Sequence, residues 1–338
     1  MLKKNKKITM SYSQAIREAT HFLLKKNKNF LILGQGVTSP WYVGNSMLNL
    51  NNLFPNQVID TPVSENLITG TGLGLVLNNM KCMIVHPRMD FMLYAMDQII
   101  NQISKWNFLN CGKLKLPLVI RGIINRGGSQ GAQHSQSLHS VFSHFPGLRV
   151  VMPSSPEDAY QLLIASINSN DPVIFIDDAW LYKNKQSFLL KNNLNLNTIK
   201  PKIKKRGKDI TVVSAGFFAN MALDTSKILK KKFNIEAEII DLRVLNPFYP
   251  KIICNSFKKT GRLLVIDGGH INCGFGNNII AEVFKNIEKK NIKIPPQLLA
   301  LPNYPAPSAK EHELKYYPSQ NKLLKKILNL CDKKLIKI

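Results

Sequence analysis

Short apolar runs of strand length recur along the chain, and most are followed by a segment with helical spacing. In the first half the runs are 30–33 (FLIL), 81–85, 116–120, 150–151 and 173–176. Strands that are apolar throughout must be covered on both faces, which is what a parallel sheet wrapped by helices requires. A helix is predicted over 11–25, with Ala15, Ile16, Ala19, Phe22 and Leu23 on one face. Another follows SSPED, with Ser155 as N-cap, Pro156 in the first position and acids behind it. A third, buried on more than one side, is predicted between Pro87 and Trp106. From 183 to 208 the pattern dissolves into Asn, Lys and scattered Leu, as a linker does. Alternation then resumes, with strands at 210–214, 237–240, 262–266 and 298–301. The helices between and after them lie at 219–232, 249–258, 275–287 and 319–330. The expected fold is α/β, two doubly wound and mainly parallel sheets, with domains at 8–182 and 209–333 and the linker 183–208 between. A chain of 338 residues has the material for two cores.

The net charge of +25 invites a nucleic-acid or membrane partner. The lysines, however, lie in short scattered groups: Lys3-Lys4, Lys25-Lys26, 202–206, 230–232 and Lys333-Lys334. Many Asn and Ile accompany them, as a nucleotide bias across the whole composition would give. No nucleic-acid motif goes with the charge, so nucleic acid is not the expected partner. The five cysteines form no CxxC pair and are odd in number, which argues against a disulfide framework or zinc site and fits a reducing compartment. The start, MLKKNKKITM, lacks the apolar core of a secretion signal. No apolar run nears the length of a membrane span. The expectation is a cytoplasmic protein with no membrane contact.

Ligands of open parallel sheets sit beyond the carboxyl ends of the strands. Three segments qualify: 60–66, 86–91 and 121–135. The first opens TPVSENLITGTGLGLVLNN (61–79), which holds Glu65 and no other ionisable side chain. Two readings of Glu65 fit. It can serve a helix N-terminus, behind Ser64 as N-cap, or it can meet a ring nitrogen of a cofactor. Gly70, Gly72 and Gly74 would let a helix or ligand approach that backbone closely. In the third segment Gly127, Gly128 and Gly131 precede His134, a candidate proton carrier or a loop histidine satisfied by a carbonyl. No GK[ST] follows, so this is not a P-loop. His139 and His144 read as structural. Ser129 and Ser135 have no GxSxG setting. GQGVTS (34–39) is only superficially a dinucleotide fingerprint, because Pro40 and Trp41 follow it.

Three segments, TPVSENLITGTGLG, DFMLYAMDQIINQISKW and GAQHSQSLHSVFSHFPGLRVVMPSSPEDA, carry a resemblance that continues through DPVIFIDD, DLRVLNPF and KKTGRLLVIDGG. The chain resembles the beta subunit of thiamine-diphosphate-dependent 2-oxo acid dehydrogenases of the pyruvate dehydrogenase type. The resemblance implies a pyrimidine-binding domain followed by a transketolase C-terminal domain. It implies that Glu65 is the catalytic glutamate, hydrogen-bonded to the cofactor's aminopyrimidine so that the thiazolium carbon can lose its proton. It implies that Phe91 packs on the pyrimidine and that His134 acts near the substrate as proton donor or stabiliser. The chemistry would be oxidative decarboxylation and acyl transfer to a lipoyl group on a partner acyltransferase core.

The family holds the diphosphate through a divalent cation on a GDG segment, which this chain lacks; the nearest string is Asp267-Gly268-Gly269. No metal ligands are expected here. The resemblance therefore implies a separate alpha chain carrying the Mg ion, in an alpha2beta2 assembly. The chain departs from the family pattern at Gln35, where an acid is usual, and at 86–91, where His86, Arg88 and Asp90 bring polar groups. Arg126 is added in RGIINRGG. His86, Arg88 and Arg126 are candidate substrate-pocket residues for an anionic or more polar substrate; the two arginines pairing with Asp90 is the structural alternative. Two other functions stay open: a split transketolase-like or acyloin-cleaving enzyme, and a catalytically silent scaffold for an alpha chain.

Overall fold

A computed structural model describes residues 7–333. Lys3-Lys4, Lys334 and the first six residues of the basic start lie outside the described residues. The chain packs as two units, one holding the residues up to 126 together with 133–199, the other holding 127–132 together with the residues from 200 onward.

The first unit begins with β1 (Ile8–Ser11) and α1 (Tyr12–Lys26). Ser11 starts α1 through a reciprocal cap: its hydroxyl accepts from Gln14 N at 3.2 Å, and Gln14 Oε1 accepts from Ser11 N at 2.8 Å. The sheet strands are β2 (Phe30–Gly34), β3 (Val58–Asp60), β4 (Lys81–His86), β5 (Leu118–Ile124), β6 (Arg149–Val151) and β7 (Val173–Asp178). Between them lie α2 (Pro40–Val43), α3 (Leu50–Leu53), α4 (Glu65–Leu77), α5 (Ser104–Leu109), α6 (His139–His144) and α7 (Pro156–Ile167). The order across the sheet is β6-β7-β5-β4-β2-β3. Every pair is parallel, as the buried apolar runs require. Register brings Gly34 beside Asp60, His86 beside Gly122 and Ile124 beside Asp178, so these strands end on one edge.

Two glycines fix what lies against this sheet. A Cβ on Gly72 would stand 2.4 Å from Ile84 Cδ1, so its absence lets α4 lie directly on β4. A Cβ on Gly122 would stand 2.5 Å from Met92 Sδ, so β5 seats the turn that follows β4. Gly74, by contrast, faces nothing within 4 Å. The helix predicted between Pro87 and Trp106 is three pieces: a 3-10 stretch Met89–Ala95, a π-helical stretch Asp97–Ile103, then α5. Uneven winding of this kind re-aims side chains that a regular helix would stack.

Next to Gly122 on β5, Arg121 is fully buried. Its Nε and Nη2 donate to the two Asp177 oxygens on β7 at 3.0 and 2.9 Å, and Nη2 also reaches Ser46 Oγ at 2.8 Å. Burial alone would lower the Arg121 pKa, but the Asp177 charge overrides it and holds the guanidinium protonated, above its ordinary value.

The stretch read as a linker is ordered. β8 (Lys185–Phe188) pairs antiparallel with β1. β9 (Lys202–Lys205) forms the antiparallel edge of the second unit's sheet. That unit continues with β10 (Ile210–Ser214), β11 (Ala237–Asp241), β12 (Val244–Asn246), β13 (Leu263–His270) and β14 (Gln297–Leu301); all of these but β12 join β9 in a sheet of order β14-β13-β10-β11-β9. Its helices are α8 (Gly216–Phe233), α9 (Lys251–Thr260), α10 (Phe275–Phe284), α11 (Lys310–Tyr316) and α12 (Gln320–Leu330). Ile210, Val212, Phe218, Leu229, Ile239, Leu264 and Ile327 share one core. The lysine groups at 25–26 and 230–232 sit in the last turns of α1 and α8, where the helix dipole favours cations. Among the described residues no helix is long and apolar enough to cross a membrane.

The two α4 glycines separate experimentally in the isolated chain. Gly72→Val is expected to cost about 1–3 kcal/mol by driving α4 off β4. Gly74→Ala is expected to stabilise by about 0.5–1 kcal/mol through helix propensity alone. Urea unfolding of the two variants measures both.

Candidate functional site

Glu65 is the first residue of α4, five residues past the end of β3. Ser64 does not cap the helix with its side chain. Its hydroxyl donates instead to Asn66 Oδ1 at 2.8 Å, and that oxygen also accepts from Leu67 N at 2.7 Å. The first turn of α4 thus lacks the hydroxyl cap that the sequence offered, and Glu65 stands in it as the acid nearest the positive end of the dipole. Glu65 is half-buried, between exposed Val63 and Leu67. Just before it, Asp60 holds the GQG turn: Oδ1 accepts from Gly36 N at 2.7 Å and Thr38 Oγ1 donates to Oδ2 at 3.3 Å.

His86 closes β4 and is buried against α4, where Thr69 Oγ1 lies 3.3 Å from its Nε2. Burial pushes its imidazole down to about 4, so it is neutral at physiological pH. Arg88 is buried as well. Its Nη1 donates to Pro87 O at 2.8 Å, and Asn125, with its amide oxygen turned toward the guanidinium, accepts from Nη2 at 2.8 Å and Nε at 3.0 Å. Arg126, just past β5, pairs with Asp178 and lies over the Trp180 ring at 5.2 Å. The partner of Arg126 is Asp178 where Asp90 was expected. Burial lowers the Arg88 pKa, and the neighbouring Asp90 charge draws it back up, so Asp90 remains a charge partner of Arg88 beside Pro87 O and Asn125.

The 3-10 turn packs against α4 and carries Phe91, half-buried. His134 meets that ring edge-on, with centroids 5.3 Å apart and planes at 86°. Tyr94 tilts against Phe91 from the exposed side at 6.4 Å. The structure therefore brings Phe91 and His134 together and sets α4, whose first residue is Glu65, against the same turn. It draws His86, Arg88 and Arg126 inward. His139 is buried, with Ser137 Oγ 2.8 Å from its Nδ1.

Several residues here were not singled out from the sequence: Thr69, Asn125, Asp178, and Asp90 as anything beyond a counter-ion. Adjacent acids at the end of β7 were a usable sign for Asp178. Thr69 and Asn125 gave none, being ordinary polar residues inside predicted elements. Among the described residues no group of three or more His, Cys, Asp or Glu side chains is placed to hold a metal ion.

Comparison with known proteins gives two family matches, the transketolase pyrimidine-binding domain over residues 8–183 and the transketolase C-terminal domain over 200–323. The chain is 31% identical over 335 residues to the acetoin:2,6-dichlorophenolindophenol oxidoreductase subunit beta of Bacillus subtilis, covering 95% of this chain and 97% of that one. It is also 31% identical over 322 residues to the pyruvate dehydrogenase E1 component subunit beta of Rickettsia bellii, covering 94% and 97%. Among solved structures it matches a split-gene transketolase, described as an inactive beta4 tetramer, with a TM-score of 0.77 at 17% identity, over 96% of this chain and all of that one. That last likeness is one of fold.

His86 gives the fold an acid sensitivity whose sign follows from its burial. The unfolded chain takes up this proton near pH 6.5, the folded chain only near 4. Stability is therefore complete above 6.5 and falls as pH drops toward 4, by about 3 kcal/mol over the whole interval. Urea unfolding of the wild type and of His86→Gln at pH 7 and pH 5 measures it; the variant is expected to lack this part of the acid slope.

Proposed function

Because the chain belongs to the transketolase family through its pyrimidine-binding and C-terminal domains, we propose that it is the beta subunit of a thiamine-diphosphate-dependent 2-oxo acid dehydrogenase of the pyruvate dehydrogenase type. In this reading it works in the cytoplasm, with an alpha chain in an alpha2beta2 assembly and a lipoyl acyltransferase core. The residues present fit the aminopyrimidine half of the cofactor. A half-buried carboxylate at a helix start supplies a proton-sharing acceptor, and a half-buried phenyl ring on the turn packed against that helix supplies a face for a heteroaromatic ring. The diphosphate and its Mg ion fall to the alpha chain, which must bring cation ligands and amides for so much charge.

When bound, thiamine diphosphate supplies the carbanion chemistry that cleaves the bond beside a ketone carbonyl. Glu65 shares a proton with a pyrimidine ring nitrogen. Phe91 orients the ring by stacking. His134, edge-on to Phe91, holds or donates a proton beside the substrate. Exposed Val63, Leu67 and Tyr94 are apolar surface that an alpha chain would cover, and covering it would keep water from competing for the Glu65 proton. The observation that carries the reading is the Phe91–His134 contact on the turn that packs against α4.

One observation favours a second reading, cleavage of a neutral acyloin. The Arg126 charge is paired with Asp178, and Arg88 is hydrogen-bonded to Pro87 O and Asn125 with the Asp90 charge beside it. Such a setting offers little positive charge to a substrate carboxylate.

Co-expression with candidate alpha chains, followed by ferricyanide-linked turnover of 2-oxo acids and acyloins with and without a lipoyl domain, separates the readings. In the active complex Glu65→Gln is expected to leave the unfolding midpoint unchanged and to lower turnover about 100-fold or more. It should also slow proton exchange at the thiazolium carbon. Unchanged exchange would refute the role given to Glu65.

A further inference from the structure

Between β5 and His134 the chain passes through a run of left-handed backbone. Gly127, Gly128 and Ser129 have φ of 83°, 69° and 61°, and Gly131 follows at 73°. Glycine takes this conformation freely, whereas a serine takes it against its own Cβ and needs a partner to hold it there. That partner is Glu313 on α11, whose Oε2 accepts from Ser129 N at 3.0 Å. Two residues on, Gly131 is buried against Ser308, just ahead of α11; a Cβ at 131 would stand 2.5 Å from Ser308 Oγ. Residues 127–132 pack with the second unit, so both contacts lie inside it.

Glu313 is 4% exposed, and its other oxygen, Oε1, is buried with no hydrogen-bond donor. Burying a carboxyl group in that way is unfavourable, and what the fold gains in return is the grip on Ser129 N. We infer that Glu313 is a positioning residue for His134: it holds 127–131 in the shape from which the chain reaches the imidazole. The inference rests on the reading that His134 works at the site.

The loop is also held beyond the imidazole. Asp90 Oδ1 accepts from Gln136 N at 3.1 Å, and Met89 Sδ accepts from Leu138 N at 3.4 Å. His134 thus stands between two anchors, three residues past Gly131 and two before Gln136, with its ring edge-on to Phe91. A group that must hold or donate a proton at one place needs both anchors, because a loop fixed on one side only leaves its middle free to swing. Glu313 supplies the anchor on the glycine-rich side, and the bare Gly131 lets that side seat closely.

Three variants test it. Glu313→Ala removes the acceptor for Ser129 N, Glu313→Gln keeps one, and Gly131→Ala unseats the same loop at its other contact. In the full chain, amide exchange read by mass spectrometry should quicken over 127–133 in Glu313→Ala and stay near wild type over β10, β11 and β13. With ¹³C-labelled histidine, the His134 signal, identified by its loss in His134→Gln, should move toward that of free histidine while the His139 signal stays. In the reconstituted enzyme kcat should fall about tenfold with KM within about twofold in Glu313→Ala and in Gly131→Ala, and Glu313→Gln should stay within about threefold of wild type. Should Glu313→Ala fail to fold, Gly131→Ala carries the same readouts. Unmoved exchange, an unmoved His134 signal in a folded variant, or a fall in kcat that is as large in Glu313→Gln overturns the inference. Failure of the underlying reading looks different: His134→Gln would turn over normally although exchange and the His134 signal still move in Glu313→Ala.

Discussion

The seating of Met92 on Gly122 is the contact from which the rest of the site follows. A side chain at residue 122 would occupy the space of the Met92 sulfur, so the turn after β4 can lie on β5 only because that position is bare. Arg121, one residue earlier, points to the opposite face and binds Asp177 on β7. β5 is thereby tied to its neighbour on one face and free to receive the turn on the other. Once the turn is seated, Met89, Asp90 and Phe91 present themselves in order to the loop that carries His134. The 3-10 stretch leaves Tyr94 exposed, and the π-helical winding that follows buries Ile99, Ile100 and Ile103.

Charge in this region is arranged against first appearance. The strings HPRMD and RGIINRGG add two arginines to the neighbourhood of the site, which reads as preparation for an anion. In the fold both guanidiniums are buried and engaged by protein groups, and His86 is held neutral by burial. The large positive charge of the whole chain has a similarly local account in part, since two of its lysine groups close helices and Lys230 pairs with Glu236 at 2.6 Å.

Much of the fold was legible because a fully apolar strand has few alternatives to a buried parallel sheet. Residues 30–33, 81–85 and 173–176 could hardly be anything else, and Ser155-Pro156 marked the start of α7 through its own chemistry. The strands β8 and β9 inside 183–208 were not legible because they lie at sheet edges, and edge strands can be polar. The winding of 89–109 was hidden because its apolar spacing fits a regular helix, whereas its first stretch is seated on β5 at Gly122. Within the site, Glu65 and His134 stood out as a lone acid and a histidine behind a glycine-rich loop, whereas Phe91 was marked only by the family resemblance. Asp90 did not stand out, since its meaning depends on a loop 46 residues away in the chain, meeting it at Gln136 N.

The account turns on a proton shared between Glu65 and a heteroaromatic nitrogen once a second polypeptide covers α4's first turn. It is read most directly by ¹⁵N NMR of thiamine diphosphate labelled in the pyrimidine ring and bound to the complex of this chain with its alpha partner. The labelled nitrogen acting as partner to the carboxylate should show the shift of a protonated ring nitrogen in the wild type and lose it in Glu65→Gln. A bound cofactor whose ring nitrogens keep the shifts of free thiamine diphosphate at neutral pH in both proteins would contradict it.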